Sequence, residues 1–132
     1  MIKILLFDFF NVLLTTHNLI PKLNQELIEF LQPLDKKYQM HILSASPPQF
    51  VGRFKKGLQP PFNQFLSTKE LKLGKDDPEI YRLIAKNLGV TTDQILFTDD
   101  QIHRVEAAQI AGCQTIHFTD TAKFITDFEK LI

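Results

Sequence analysis

The chain of 132 residues is long enough to bury one hydrophobic core and too short for two domains of ordinary size. Its formal net charge of +0 excludes the bulk basic field that recruits nucleic acid or an anionic membrane. The single Cys113 excludes an internal disulfide, and no apolar run approaches the roughly 20 residues of a membrane span, so we expect one soluble, cytoplasmic domain over residues 1–132.

Predicted strands and helices alternate along the chain, which indicates an α/β fold of three layers, a parallel sheet with helices on both faces. The first strand, residues 2–7, is apolar except at Lys3, and its continuous apolar run over residues 4–7 is of the kind that is buried on both faces. An irregular loop over residues 9–19 follows it, and then a helix over about 21–37. The remaining predicted elements are a strand at 39–43, a short helix capped by Ser46 and opened by Pro47 and Pro48, a strand near 64–67, a helix from Asp77-Pro78 to Gly89, a strand at 94–98, a helix ending at Gly112, a strand at 114–118 and a closing helix over 121–132.

Polar side chains follow several of these strands at the point where each strand ends. They are Asp8, Ser44 and the pair Asp99 and Asp100, and Lys75 lies in a loop before a helix. Because the carboxyl ends of parallel strands share one edge of a sheet, we expect these groups to converge. Crowded carboxylates resist joint ionisation without a cation, and oxygen ligands of this kind suit Mg²⁺. With a hydroxyl and an ammonium to hold phosphate oxygens, the set predicts phosphoryl transfer to a nucleophilic Asp.

Four short segments carry recognisable patterns: 8–13 (DFFNVL), 41–44 (HILS), 75–81 (KDDPEIY) and 96–100 (LFTDD). Together, in this order and at this spacing, they resemble the four motifs of the haloacid dehalogenase-like (HAD) hydrolases. Those motifs are D-x-D-G-[TV]-[LV], an apolar strand ending in Ser or Thr, K-P-D-P-E-I-[FY], and an acidic pair before a helix. The resemblance covers essentially the whole chain and implies a Rossmann-like sheet of five parallel strands in the order 5-4-1-2-3, with the site above the first strand.

The resemblance also implies a role for each matching residue. Asp8 would be the nucleophile that forms an aspartyl-phosphate, and Ser44 and Lys75 would grip the phosphoryl oxygens. The partner would be a phosphorylated substrate, either a small molecule or a macromolecule. The implied ligands of Mg²⁺ are Asp8, the backbone carbonyl of Phe10, Asp99 and Asp100.

Four positions depart from the family pattern, the mildest being Asp76, which replaces the Pro of the third motif. Phe10 stands where the family's phosphatases carry a general acid/base Asp, a group typically worth about 10²–10⁴-fold in rate, and a phenyl ring cannot transfer a proton. Asn11 replaces the usual Gly, although Asn tolerates left-handed backbone better than most residues. Arg104 stands where Asp or Asn is usual, and a guanidinium there either weakens metal binding or points away from the site. His17 is a candidate replacement for the acid/base, although a solvated loop histidine is the commoner case.

The short stretch between Asp8 and Ser44 bears on how the site is covered. Family members with a helical cap insert a whole small domain there, whereas one loop and one helix fill it here. We therefore expect a capless member with an open site. Such a member acts on a large substrate or borrows a cap from a partner subunit.

Three functions stay open at this point. The first is a Mg²⁺-dependent phosphatase or phosphotransferase whose acid/base step is impaired by Phe10. The second is a catalytically inactive binding or regulatory module, which Phe10 and Arg104 both favour. The third and least favoured is a metal-independent dehalogenase, which would explain an aromatic residue at position 10 but lacks the acidic pair and encloses its substrate with a cap.

Overall fold

The computed structural model describes residues 1–132. Its strands are β1 (Ile4–Phe7), β2 (Leu14–His17), β3 (Ile20–Leu23), β4 (Gln39–Ser44), β5 (Gln64–Ser67), β6 (Ile95–Asp99) and β7 (Gln114–His117). Its helices are α1 (Gln25–Leu31), α2 (Pro48–Gly52), α3 (Lys55–Leu58), α4 (Thr68–Leu71), α5 (Pro78–Leu88), α6 (Ile102–Ala111) and α7 (Thr121–Leu131), with 3₁₀ turns at Gln32–Lys36 and Thr92–Gln94. None of the helices is both long and apolar enough to cross a membrane.

Five strands form one parallel sheet in the order β5-β4-β1-β6-β7, with β1 at its centre. In the register of this sheet, Phe7 lies beside Ile42 of β4 on one side and Thr98 of β6 on the other. When these five strands are renumbered 1 to 5 in chain order, the sheet reads 3-2-1-4-5 from one edge and 5-4-1-2-3 from the other. The second is the order that the family resemblance implies. The predicted α/β fold with a five-stranded parallel sheet is therefore confirmed.

Alternate side chains of β1 enter two separate cores, which places helices on both faces of the sheet. Leu5 and Phe7 pack in the core that also contains the buried side chains of α1 and α7. Ile4 and Leu6 pack in the core formed with α5 and α6. All four side chains are buried, as the continuous apolar run predicted.

The segment after β1 differs from the prediction of an irregular loop over 9–19. Instead, β2 and β3 pair as an antiparallel hairpin. Its turn residues Asn18 and Leu19 have φ values of 51° and 65°, the left-handed conformation that a two-residue hairpin turn requires. Pro21, predicted at the start of a helix, lies in β3, where an edge strand tolerates it.

Two helices begin differently from the prediction. Helix α1 begins at Gln25 because the Asn24 side chain accepts a hydrogen bond from the backbone N–H of Leu27 at 3.2 Å. This N-cap, and not Pro21, sets the start of the helix. The predicted cap of α2 by Ser46 is wrong, since Pro47 occupies the N-cap position and no side chain caps this helix. A proline at the first turn has no N–H to satisfy, which removes part of the need for a cap.

The other predicted strands and helices are present within two residues of their predicted ends. Between β1 and β4 the chain forms only the hairpin, α1 and a 3₁₀ turn, so no cap domain is inserted there. The expectation of a capless fold is thus confirmed.

Candidate active site

Asp8 follows β1 directly and lies at the middle of the carboxyl edge of the sheet. Its backbone N–H donates to the carbonyl of Thr98 in β6 at 2.9 Å, which continues the sheet ladder up to the site. The chain then turns sharply through Asn11, whose φ of 65° is left-handed. Asparagine adopts this conformation more readily than most residues, so the substitution for Gly leaves the turn intact.

Three carboxylates meet at this edge. Asp99 ends β6 and Asp100 follows it, and carboxylate oxygens of Asp8, Asp99 and Asp100 all lie within 4.8 Å of one another. One oxygen of Asp99, Oδ1, accepts the backbone N–H of Gln101 at 2.9 Å. The other, Oδ2, is buried without any hydrogen-bond partner. The carbonyl of Asp100 accepts a hydrogen bond from His117 Nε2 at 2.9 Å, which holds the loop between β6 and α6.

Lys75 is the buried cation of this cluster. Its Nζ donates to Asp8 Oδ1 and lies 3.6 Å from Asp99 Oδ2. A lysine that is only 4% exposed is rare unless it is paired, so the carboxylates and the ammonium account for each other's burial. We call Asp8, Lys75, Asp99 and Asp100 the carboxylate–lysine cluster.

A second cation borders the cluster. The Arg104 Nη1 atom, on α6, lies 3.8 Å from Asp99 Oδ2, and the side chain is about one third exposed. The guanidinium therefore faces the carboxylates instead of pointing away from them. The three carboxylates carry more charge than Lys75 and Arg104 together can offset.

Burial raises the pKa of Asp8 to about 7 against the opposing pull of Lys75, and Asp99 adds to the rise. Burial also raises the pKa of Asp99, again against Lys75. Both shifts arise because burial disfavours the charged carboxylates more than Lys75 favours them. Asp99 Oδ2, which accepts no hydrogen bond, and the all-oxygen donor set fit a hard divalent cation such as Mg²⁺.

Ser44 ends β4 and is 2% exposed. The parallel register of β4 with β1 brings it to the same sheet edge as Asp8. Its Oγ accepts the backbone N–H of Ser46 at 3.0 Å, and Ser67 Oγ donates to the Ser46 carbonyl at 3.0 Å. These bonds hold the loop after β4, and they leave the Ser44 hydroxyl proton available for an acceptor.

Tyr81 supports the site, a role that was not predicted although the residue ends the third motif. Its hydroxyl donates to the carbonyl of Lys75 at 2.7 Å and lies 3.4 Å from the carbonyl of Arg104. The tyrosine on the buried face of α5 therefore fixes the loop that carries the lysine. The available signal was its position on an apolar helix face, since a buried tyrosine hydroxyl needs a partner.

At the position where the resemblance places a proton donor, the structure has an aromatic stack. The Phe10 ring lies against that of Phe50, with centroids 5.5 Å apart and planes 18° apart. His17, the candidate replacement, lies in β2, and its side chain is exposed and makes no hydrogen bond or ion pair. The structure thus brings together the cluster residues and Ser44 but leaves the proton-transfer position apolar.

Comparison with known proteins places this architecture in a family. The sequence model of the haloacid dehalogenase-like hydrolase family matches residues 15–112, and the chain belongs to this family. It is 28% identical to a phosphorylated carbohydrates phosphatase of Thermotoga maritima over 95 residues, 70% of this chain and 43% of that protein. It is 33% identical to a phosphoglycolate phosphatase of Salmonella paratyphi A over 58 residues, 44% of this chain and 23% of that protein.

The chain thus spans less than half the length of these curated relatives. Among solved structures, a HAD family enzyme from Bacteroides thetaiotaomicron in complex with magnesium and inorganic phosphate has the same fold. It matches with a TM-score of 0.77 at 16% identity, covering 93% of this chain and 98% of that one. The chain therefore has the fold of the HAD-like hydrolases and belongs to that family, and phosphatases are among its relatives.

Proposed function

We propose that the protein is a Mg²⁺-dependent phosphatase or phosphotransferase that works through an aspartyl-phosphate on Asp8, with an impaired acid/base step because Phe10 replaces the second Asp. The observation that carries the proposal is the carboxylate–lysine cluster, in which Lys75 pairs with Asp8 beside an acidic pair at the carboxyl edge of the sheet. Two phosphatases among the relatives support the same reaction class.

In the first step, an oxygen of the Asp8 carboxylate forms a bond to phosphorus as the bond from phosphorus to the leaving oxygen breaks. The electron pair of that broken bond departs with the leaving group. Lys75, held by Asp8 and by the hydrogen bond of Tyr81 to its carbonyl, and the Ser44 hydroxyl would bind the non-bridging phosphoryl oxygens. Donors that are already oriented stabilise the developing charge without reorganisation.

The carboxylates of Asp8, Asp99 and Asp100, with the backbone carbonyl of Phe10, would hold Mg²⁺. When bound, the ion would offset the negative charge of the phosphoryl group and of the carboxylates. The Bacteroides enzyme of the same fold was solved in complex with magnesium and inorganic phosphate, which supports the choice of this ion.

Phe10 sets the limit on this chemistry. A phenyl ring cannot protonate the leaving oxygen in the first step, nor take a proton from the water that attacks the aspartyl-phosphate in the second. General acid–base catalysis typically contributes about 10²–10⁴-fold, so we expect slow hydrolysis of the aspartyl-phosphate.

A catalytically inactive binding or regulatory module is the second candidate. Its support is Arg104, because two cations facing Asp99 partly compensate the carboxylates without a metal. The dehalogenase alternative gains no support, since the fold has no cap and carries the acidic pair.

The test is steady-state hydrolysis of p-nitrophenyl phosphate by the wild type and by Asp8→Asn, with Mg²⁺ and with a chelator. We expect turnover that the chelator abolishes and that Asp8→Asn lacks. Asp76→Asn is the matched control, because it removes an exposed carboxylate next to Lys75 in the chain. Equal turnover by the wild type and Asp8→Asn would refute the proposal, and no turnover by any variant would favour the binding module.

A further inference from the structure

The rings of Phe10 and Phe50 form a stacked pair, which we call the aromatic platform. Phe9 is fully buried and packs against both rings, since its ring centroid lies 5.7 Å from that of Phe10 and 6.2 Å from that of Phe50. The ring of Phe54 also packs on Phe50 at 5.7 Å. Because neighbouring rings hold it in place, the platform is preorganised, yet Phe10 remains 41% exposed.

The aromatic platform borders the nucleophile. Phe10 is two residues after Asp8, so their Cα atoms are at most about 7 Å apart. Phe50 lies in α2, which follows the loop held by Ser44. The three surface cavities, of about 360, 350 and 240 Å³, lie elsewhere, and none is lined by residues of the cluster or the platform. A leaving group at this open edge is therefore not enclosed by a pocket, and the platform is the apolar surface next to Asp8 in the chain.

Neither cation beside Asp8 is free to protonate a leaving oxygen, and the position of the family's general acid is apolar. Lys75 is paired with Asp8, Arg104 faces Asp99, and position 10 is a phenyl ring. The leaving oxygen must then depart as an anion. A phenolate does so far more readily than an alkoxide. Phenols have pKa values of about 10, whereas an alcohol is about as weak an acid as water, whose pKa is about 15.7.

We infer that the substrate is an aryl phosphate whose aromatic ring stacks on the platform of Phe10 and Phe50. This inference rests on the phosphatase function proposed above and names its substrate class. As Asp8 bonds to phosphorus, the aryl O–P bond breaks, its electron pair leaves on the phenolate oxygen, and the phenolate then takes a proton from water. Acyl phosphates also leave without a proton donor, but they carry no ring for the platform to hold.

Isothermal titration with two non-hydrolysable probes, phenylphosphonate and methylphosphonate, tests the inference in the presence of Mg²⁺. We expect phenylphosphonate to bind about three- to tenfold more tightly than methylphosphonate, the range of one aromatic stacking contact. The ratio should fall toward one in Phe50→Leu and in Phe10→Leu. The matched control is Phe30→Leu, whose half-buried ring packs against Phe124 and Phe128 instead.

Each result decides a different part of the account. Equal affinities for the two phosphonates in the wild type would overturn the aryl inference and leave the phosphatase proposal standing. A preference for phenylphosphonate that survives in both platform variants would overturn the assignment to Phe10 and Phe50. Failure to bind either phosphonate would count against the phosphatase proposal and, with it, the aryl substrate.

Discussion

The burial of Lys75 between Asp8 and Asp99 is the most consequential contact at the scale of single residues. Taking one partner out of a buried charge pair typically costs 3–5 kcal/mol, because the remaining charge has neither water nor a counter-charge. The same reasoning makes Arg104 informative, since it lies at the rim of the cluster and not inside it. Its removal should change the charge of the site without leaving a buried group unpaired.

Arg104→Gln should raise the affinity of the site for Mg²⁺, because it removes a positive charge 3.8 Å from a carboxylate oxygen of Asp99. We expect a gain of about fivefold or more, the size of a partly exposed charge interaction. Titration calorimetry with Mg²⁺ alone measures it. Arg82→Gln removes an exposed arginine paired with Glu79 on α5 and should change nothing. An Arg104→Gln affinity equal to or below that of the wild type would contradict the assigned metal site.

At the scale of secondary-structure elements, helix α5 connects the loop that carries Lys75 with strand β6. Asp77 caps its start by accepting the N–H of Glu79 at 2.9 Å, which fixes where the lysine loop enters the helix. One turn later, Tyr81 bonds the Lys75 carbonyl, and its ring lies 4.9 Å from that of Phe97 in β6. The buried face of α5, through Tyr81, therefore helps to fix the position of Lys75, which we propose binds the phosphoryl group.

Tyr81→Phe should weaken both the fold and the chemistry while keeping the ring in place. It leaves the buried Lys75 carbonyl without its donor, which costs about 1–3 kcal/mol of unfolding free energy. Denaturant unfolding measures that loss, and rapid-mix kinetics should show slower phosphorylation of Asp8. Tyr38→Phe is the control, because this buried tyrosine packs on Phe128 and has no contact with the cluster. Equal phosphorylation rates in the two variants would rule out a positioning role for Tyr81.

The parts of the fold that could be predicted are those in which one physical signal dominates. The buried run of β1 and the Asp77-Pro78 start of α5 are of this kind. The hairpin could not be predicted, because its turn is Asn18-Leu19 and not an Asn-Gly pair, and Pro21 is also a typical helix-start residue.

The candidate site also has one part that could be predicted from the sequence and one part that could not. The meeting of carboxylates at one sheet edge follows from the parallel topology alone, so Asp8 and Asp99 could be placed together in advance. The roles of Tyr81 and Phe50 could not, because their contacts with the site depend on how α5 and α2 pack in three dimensions.

At the scale of the whole molecule, the sheet is covered on both faces, but its carboxyl edge carries no inserted domain. We propose that the substrate itself, or a second subunit, excludes water from this edge. The interior contains polar side chains that the mechanism does not use, among them those of Thr98 and His41, which have no hydrogen-bond partner. His41 of β4 is buried beside Leu6 of β1 and Gln64 of β5, and neither ring nitrogen has a hydrogen-bond partner.

His41 should make the fold sensitive to acid. Burial lowers the pKa of His41 below its ordinary 6.5, so the unfolded chain binds a proton before the folded one does. Its effect on stability is therefore absent well above pH 6.5, and the free energy of unfolding falls as the pH drops below that value. Asp8 and Asp99, with raised pKa values, act in the opposite direction, so the measurement must compare variants.

The comparison is between the wild type and His41→Leu, by thermal unfolding from about pH 7.5 down to about pH 5. The variant should gain stability relative to the wild type as the pH falls. His17→Gln, which alters an exposed histidine, should show no such trend. A constant difference between His41→Leu and the wild type over the whole range would contradict the prediction.

The central claim, that Asp8 becomes phosphorylated and that Phe10 slows the release of its phosphate, is tested most directly by rapid-mix nitrophenol release from p-nitrophenyl phosphate. We expect a Mg²⁺-dependent burst of about one nitrophenol per protein molecule, followed by slow turnover, because nitrophenolate leaves without a proton donor. The burst should be absent from Asp8→Asn, and Phe10→Asp should convert it into steady turnover faster by up to about 10²–10⁴-fold. Linear release from the first turnover, or a burst that persists in Asp8→Asn, would contradict the account.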